Sequence, residues 1–139
     1  MIKILIAEDD RQLNEGIKLS LREEGRNFLQ SYTLTEARTA VEEVNPDLLI
    51  LDINFPDGSG LDLLREIKSA GRRTKIILLT ANNMETDIVT GLESGADDYI
   101  TKPFSLMVLR ARVGVQLRKA DSQAITEGDF LFDFERMIF

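Results

Sequence analysis

Polar side chains able to do chemistry follow several short apolar runs in this chain. Three consecutive acids follow residues 4–7, and single polar residues follow later runs; the set is Glu8, Asp9, Asp10, Asp52, Thr80 and Lys102. Carboxylates gathered at one place repel one another unless a cation lies between them, and Mg²⁺ prefers such oxygen ligands. A metal-neutralised carboxylate beside a lysine and a hydroxyl would suit in-line phosphoryl transfer, with Asp52 as the nucleophile.

Histidine and cysteine, two residue types that often carry out chemistry, are absent from the sequence. With no histidine and no cysteine, the chain has no imidazole or thiolate for a metal site, no disulfide and no Ser-His or Cys-His nucleophile pair. Any chemistry must therefore use carboxylates, hydroxyls, lysine or arginine. The net charge of -7 argues against direct binding to nucleic acid, because phosphate contacts need a positively charged face.

The elements that must position these residues alternate along the chain. From residue 1 to about 119, short apolar runs alternate with amphipathic stretches, which is typical of an α/β fold with a parallel sheet covered on both faces. The runs at 48–51 and 76–79 lack polar alternation, as expected for central strands. We predict a doubly wound (βα)5 sheet with strands at 2–7, 28–32, 48–51, 76–79 and 98–101. A helix follows each strand, and Thr35 is expected to open the second helix.

The carboxyl ends of parallel strands meet at one edge, where doubly wound sheets bind ligands. Taken singly, Asp9 and Asp10 are also typical helix caps, and Asp52 is also a typical turn former. Thr80 would equally cap the next helix, and Lys102 would be an ordinary loop lysine. The joint placement of these residues at four strand ends favours a functional site over each separate alternative.

The last twenty residues depart from the alternating pattern. Phenylalanine recurs at every second position within 128–135, which predicts a half-buried strand, and a lone strand needs a partner. We therefore expect one domain at 1–119, a linker at 120–127 and, at 128–139, the first strand of a truncated second domain. That strand would be disordered or would pair with another sheet edge.

The apolar runs are too short for a membrane helix, since a bilayer span needs about 20 apolar residues. The apolar stretch that follows Met1 ends at Glu8 and is also shorter than the core of a secretory signal. We expect a cytoplasmic protein without a membrane partner.

The strand-end residues resemble those of the receiver domain of two-component response regulators of the OmpR/PhoB type, and the resemblance covers residues 2–119. It implies a CheY-like, flavodoxin-like sheet with strand order 2-1-3-4-5. The matching motifs are Ala7-Glu8-Asp9-Asp10, Leu51-Asp52, Phe55-Pro56-Asp57-Gly58-Ser59-Gly60, Leu79-Thr80-Ala81 and Gly95-Ala96-Asp97-Asp98-Tyr99-Ile100-Thr101-Lys102-Pro103-Phe104.

The resemblance implies a role for each residue at the strand ends. Asp52 would accept a phosphoryl group from the phosphohistidine of a sensor histidine kinase, which agrees with the absence of histidine from this chain. Thr80 and Lys102 would assist the transfer. Mg²⁺, or Mn²⁺ in its place, would be bound by Asp9, Asp10, Asp52 and the backbone carbonyl of Asn54. The chain would be a signalling phosphoacceptor rather than an enzyme with turnover.

The resemblance also implies a switch and a dimer. Thr80 would move toward the phosphoryl group while Tyr99 turns inward, Ala81 would leave the room for this, and the Lys102-Pro103 bond would be cis. A homodimer would form through the fourth helix, fifth strand and fifth helix, with apolar residues where relatives carry an ion pair. Its expected face consists of Ile88, Asp97, Asp98, Val108, Arg112 and Arg118.

Two further expectations concern phosphate lifetime and output. Asn54 and Asn82 are small and polar and flank the path of attacking water, so we expect rapid self-dephosphorylation. The tail at 128–139 resembles the start of a winged-helix effector domain, through which alone the protein would bind DNA and regulate transcription.

Two other classes of protein share parts of this pattern. A Mg²⁺-dependent phosphatase of the haloacid-dehalogenase type also uses a strand-ending aspartate, but it requires a second aspartate where this chain has Asn54. A flavodoxin-like nucleotide binder shares the fold, yet the acids at 8–10 would repel its anionic ligand.

Overall fold

The computed structural model describes residues 1–81 and 85–128, with side chains described except at 85–88 and 121–128. Its centre is a parallel sheet of five strands, and the predicted order 2-1-3-4-5 is confirmed. The strands in spatial order are β2 (Arg26–Ser31), β1 (Ile2–Ala7), β3 (Leu48–Asp52), β6 (Lys75–Ala81) and β7 (Asp98–Lys102).

Helices cover both faces of this sheet. They are α1 (Arg11–Leu21), α2 (Leu34–Val44), α3 (Gly60–Ser69), α4 (Glu85–Glu93) and α5 (Leu106–Gly128). Successive residues of a strand point to opposite faces, so Leu49 packs with residues of α2 and α3 while Ile50 packs with residues of α1 and α5. Because each face is covered, the central strands are continuously apolar over residues 48–51 and 76–79. Each fully buried leucine or isoleucine stabilises the fold by about 2 kcal/mol.

The helix ends closest to the carboxyl edge of the sheet are capped by side chains. Asp10 is the N-cap of α1, where its Oδ1 accepts hydrogen bonds from the amides of residues 12 and 13. Thr33 is the N-cap of α2 and forms a capping box with Glu36. The helix therefore begins one residue before Thr35, which was the predicted opening residue.

Between β3 and α3 lies a small hairpin of β4 (Asn54–Phe55) and β5 (Gly58–Ser59), where the sequence predicted only a loop. The amide of Gly60 donates a hydrogen bond of 2.6 Å to the carbonyl oxygen of Ile53 and closes the base of the hairpin. A Cβ atom at Gly60 would collide with the backbone carbonyl oxygen of Asp52. Glycine is thus required at this point of close backbone approach.

The last helix is longer than expected. Residues 120–127, predicted as a linker, are helical in α5, which continues to Gly128. The strand predicted at 128–135 lies almost entirely outside the described residues. Among the helices that the structure describes, none has both the length and the apolar character needed to cross a bilayer.

Candidate functional site

Acidic and basic side chains from three strands meet at the carboxyl edge of the sheet. Glu8 directly follows β1, Asp52 ends β3 and Lys102 ends β7. Glu8 is fully buried and Asp52 is 4% exposed. The sheet topology brings them together because β1 and β3 are neighbours, as the strand-end argument predicted.

Lys102 forms ion pairs with both buried carboxylates. Its Nζ lies 2.6 Å from Glu8 Oε1 and 3.2 Å from Asp52 Oδ2. One carboxylate oxygen each of Glu8, Asp9 and Asp52 lie within 4.8 Å of one another. We call these three residues the acidic cluster; Lys102 neutralises only part of its charge.

The acidic cluster changes the proton affinity of its members. Burial raises the pKa of Glu8 to about 7, and the nearby charge of Asp52 adds to the rise, although the hydrogen bond from Lys102 opposes it. For Lys102, burial lowers the pKa, but its contacts with Glu8 and Asp52 outweigh that effect and the net pKa is raised. The lysine therefore stays protonated between the carboxylates.

The donor set of the acidic cluster fits a hard divalent cation. Its oxygens come from three carboxylates within a few ångströms of one another, which is the ligand type that Mg²⁺ prefers. Glu8 Oε1 is buried, and its close partner is the Lys102 ammonium, which it shares with Asp52. A buried oxygen left in this state is suited to a further cationic partner.

Asp10, predicted as a metal ligand, is not part of the acidic cluster, and Glu8 takes that place. Asp10 stands one residue before α1, so its carboxylate is used as the N-cap. Glu8 instead continues the β1 ladder, with its amide donating to the carbonyl oxygen of Ser31 at 3.1 Å. The N-cap preference for aspartate directly before a helix could have separated the two.

Asn14 is a buried residue of the site region for which the sequence offered no motif. Its side-chain amide donates to the carbonyl oxygens of Ile6, Glu8 and Ser31 at 3.1 to 3.3 Å. Its Oδ1 accepts from Gln30 at 3.0 Å. A polar side chain on the buried face of α1 therefore ties together the ends of β1 and β2 behind the acidic cluster.

The predicted switch residues lie on β6, which neighbours β3, and on β7, the edge strand beside β6. Thr80 is fully buried near the end of β6, and its hydroxyl donates to the carbonyl oxygen of Ala81 at 3.0 Å. Tyr99 lies on β7, half-buried against the core. The peptide bond between Lys102 and Pro103 is cis, as predicted.

Only one of the two asparagines predicted to tune phosphate lifetime lies within the described residues. Asn54 is exposed, and its amide lies 3.5 Å from Asp52 Oδ1, which places the residue beside the expected phosphoacceptor. Asn82 lies outside the described residues.

The predicted dimer face is only partly brought together. Arg112 Nη1 bonds both carboxylate oxygens of Asp98 within the chain, at 2.8 and 2.9 Å. Val108 and Arg118 are exposed on α5, whereas the side chain of Ile88 lies outside the described residues.

Asp97, predicted to meet a partner's arginine, is used inside the fold. Its Oδ2 accepts a hydrogen bond of 2.8 Å from the amide of Ile76. Lys68 and Lys75 approach the same carboxylate at 3.4 and 3.8 Å. Its carboxylate therefore already has partners within the chain, and its place on the dimer face stays a prediction.

Comparison with known proteins agrees with this architecture. The family model described as response regulator receiver domain matches residues 4–114. The chain is 44% identical to the response regulator protein PmrA of Pseudomonas aeruginosa over 91% of its own length and 57% of that protein. It is 43% identical to the DNA-binding response regulator MtrA of Mycobacterium tuberculosis, over 87% of this chain and 53% of that protein.

Solved structures show the same fold. A CheY-like receiver domain protein from Methanospirillum hungatei superposes with a TM-score of 0.82 at 28% identity, covering 88% of this chain and 98% of that one. DrrB, an OmpR/PhoB homologue from Thermotoga maritima, gives a TM-score of 0.77 at 34% identity, covering 86% of this chain and 54% of that one.

These comparisons give no support to the haloacid-dehalogenase alternative. The chain spans about half the length of the curated relatives it matches. The family match over residues 4–114 and the sequence identity with OmpR/PhoB-type regulators show that the chain belongs to the response regulator receiver domain family.

Proposed function

We propose that Asp52 accepts a phosphoryl group from the phosphohistidine of a sensor histidine kinase and that the phosphorylated chain controls a DNA-binding effector domain. The observation that carries the proposal is the pairing of Lys102 with both Glu8 and Asp52 at the carboxyl edge of the sheet. It keeps one carboxylate oxygen of Asp52 next to a fixed positive charge.

The chemistry of the proposed transfer uses the chain's own groups as follows. A carboxylate oxygen of Asp52 attacks phosphorus, the bond from phosphorus to the donor nitrogen breaks, and an acyl phosphate forms while the imidazole leaves. The Lys102 ammonium stabilises charge on the phosphoryl oxygens, and the Thr80 hydroxyl turns from Ala81 to donate to one of them.

The proposed cofactor is Mg²⁺, with Mn²⁺ as a substitute. Asp9, Asp52 and the backbone carbonyl of Asn54 would bind it, with Glu8 as the third carboxylate in place of Asp10. When bound, the ion would neutralise the acidic cluster and the charge that develops on the phosphoryl oxygens. Because Glu8 is fully buried, water does not compete with the ion for its oxygens.

We further propose that phosphorylation acts on a dimer face formed by α4, β7 and α5. Val89 and Leu92 of α4 are 51% and 44% exposed, and Val108 and Val115 of α5 are 45% and 38% exposed, which supports an apolar contact. Because apolar contacts are not screened by ions, the dimer should be less sensitive to salt at this contact. A steep fall of dimer affinity with ionic strength in an Asp97→Ala/Asp98→Ala variant, measured by sedimentation, would count against this.

The exposed Asn54 beside Asp52 supports a short phosphate lifetime. Its small polar side chain leaves a path for water to the acyl phosphate, and Asn82 would act in the same way. A bulkier apolar residue should slow hydrolysis; an unchanged phosphate half-life in Asn54→Met would show that this side chain does not control access.

The decisive experiment is intact mass spectrometry after incubation with acetyl phosphate and Mg²⁺. The wild-type chain should gain one phosphoryl group and Asp52→Asn should gain none. Glu24→Gln, which removes an exposed acid in the turn between α1 and β2 at the opposite edge of the sheet, should be labelled like the wild type. Repeated turnover of an external phosphomonoester would favour a phosphatase instead.

A further inference from the structure

The hairpin that carries Asn54 is fastened to the start of α2 by one carboxylate. Asp57, in the turn between β4 and β5, accepts at Oδ1 from the amide of Leu34 at 2.8 Å. Its Oδ2 accepts from the amide and the hydroxyl of Thr35 at 2.9 and 2.8 Å. Both carboxylate oxygens are therefore bound to a helix that lies more than twenty residues earlier in the chain.

The first amides of a helix lack partners within the helix, and here they are shared between two caps. Thr33 accepts from the amide of Glu36, which is the local cap. Asp57 accepts from the amides of Leu34 and Thr35, the two residues before Glu36. A negative charge is also favourable at this positive helix end. The hairpin thus completes the cap of α2 and is held in return.

Apolar contacts fix the hairpin at the same place. Phe55 and Leu34 are both buried and belong to one core cluster. A Cβ atom at Gly58 would lie 2.8 Å from Leu34 Cδ2, so the turn approaches α2 as closely as glycine allows. Rotation of the hairpin away from α2 would therefore break polar and apolar contacts together.

The fastening bears on the acidic cluster through the backbone. Residues 53–60 are closed at their base by the Gly60 to Ile53 hydrogen bond and held at their tip by Asp57. Asn54 lies between these two points, with its amide 3.5 Å from Asp52 Oδ1. Loss of the tip contact would leave the Asn54 carbonyl held from one side only.

We propose that Asp57 is a positioning residue, which holds the Asn54 carbonyl in the orientation needed for a divalent cation at the acidic cluster. The inference rests on the proposed function, because the Asn54 carbonyl is a metal ligand only there. Asp57 itself touches neither the cation nor the phosphoryl group; it acts through the hairpin.

The test compares two ways of weakening the same helix end. Asp57→Asn keeps the shape but loses one acceptor oxygen, and Mg²⁺ affinity measured by calorimetry should fall about tenfold, as for loss of a residue that orients a ligand. Thr33→Val removes the local cap of α2 and should lower the urea midpoint as well, yet leave Mg²⁺ affinity at the wild-type value. Glu24→Gln controls for the loss of one negative charge at the opposite edge of the sheet.

Hydrogen exchange provides a readout independent of the metal. In Asp57→Asn without Mg²⁺, the amides of residues 53–60 should exchange faster than in Thr33→Val. Saturating Mg²⁺ should restore labelling by acetyl phosphate, because Asp52 and Lys102 remain in place. If Asp57→Asn does not fold, Thr35→Val, which removes only the hydroxyl donor to Asp57, should weaken Mg²⁺ binding by a smaller factor.

The possible failures are distinguishable. If Asp57→Asn binds Mg²⁺ with wild-type affinity, the positioning role is overturned and the proposed function stands. The same holds for Thr35→Val if Asp57→Asn does not fold. An equal loss of affinity in Thr33→Val also overturns it, since any damage to α2 would then suffice. A wild-type chain that binds no Mg²⁺, or an Asp52→Asn variant that binds it unchanged, overturns the proposed metal site and this inference together.

Discussion

Two carboxylates near the same edge of the sheet have pKa values that are shifted in opposite directions. Glu8 is fully buried, and burial raises its pKa to about 7. Asp57 is exposed, and hydrogen bonds from the amides of Leu34 and Thr35 lower its pKa to about 2. What replaces water around the charge therefore decides its proton affinity. Backbone amides stabilise the carboxylate, whereas an apolar surrounding with one shared lysine does not fully compensate for lost hydration.

The difference separates two tasks. Asp57 is a charge that the fold stabilises and uses to hold two segments together. The charged form of Glu8 is destabilised by its burial. The acidic cluster to which Glu8 belongs is suited to a divalent cation in addition to Lys102. The comparison predicts pH responses of opposite sign for the two residues.

The largest expected effect is the pH dependence at Glu8. The folded pKa lies above the unfolded value, so unfolding releases a proton between pH 4.5 and 7, and stability is lost as the pH rises through this window. For the metal-free chain the loss should reach about 3 kcal/mol in the free energy of unfolding. Urea denaturation at several pH values measures it. Glu8→Gln should flatten the curve, and a wild-type curve that is already flat would contradict the assignment.

Removal of Lys102 should sharpen the contrast. Lys102→Met leaves two buried carboxylates without their cation. Because the lysine side chain is itself 29% exposed, the cost at pH 8 should be about 2 kcal/mol, below that of breaking a fully buried pair. At pH 5 the cost should shrink because Glu8 then takes up a proton. The measurement is the free energy of unfolding at both pH values, with Lys18→Met as a control for the loss of a lysine from the helical surface. Equal losses at the two pH values would show that the lysine does not act through Glu8.

The expected effect at Asp57 is smaller and appears in acid. Its folded pKa lies below the unfolded value, so its contribution is complete above pH 3.8 and is lost as the pH falls toward 2. Asp57→Asn should lower the urea midpoint at pH 6 and leave it near the wild-type value at pH 2. A difference between the two chains that persists at pH 2 would indicate packing damage rather than a lost charge.

The smallest effect is expected for an ion pair between an arginine and a carboxylate that are both largely exposed. Arg38 binds Glu66 between α2 and α3 at 2.7 and 2.9 Å, which lowers the pKa of Glu66. Both side chains are more than one third exposed, so the pair should contribute about 0.5 kcal/mol and less in high salt. A double-mutant cycle with Arg38→Met and Glu66→Gln measures it; a coupling energy as large as that at Lys102 would contradict the role given to burial.

The order of strands and helices was predictable because apolar runs alternate with amphipathic stretches along the chain. Apolar runs such as 48–51 are buried on both faces, and their spacing specifies the order of elements. The β4–β5 hairpin was not predictable, because strands of two residues have no periodicity. Likewise the end of α5 could not be found from its buried register at Leu109, Val113 and Leu117, since a helix continues beyond its last core contact.

The site residues divide in the same way. Asp52 and Lys102 end strands, so topology alone brought them together. Within the chain, the Asp10 carboxylate serves as a local cap and the Asp97 carboxylate accepts from a distant strand amide; their metal-binding and dimer roles stay predictions. The partners of Asn14 and Asp57 come from elsewhere in the chain, and nothing near them in the sequence indicates those contacts.

Gly60 shows how far a requirement for exact geometry extends beyond the reacting atoms. Even one methyl group there would push against the main chain of the expected phosphoacceptor. In a saturation mutagenesis library scored for signalling, this position should tolerate substitution about as poorly as Asp52 itself. Selection would then preserve an empty space as strictly as a nucleophile.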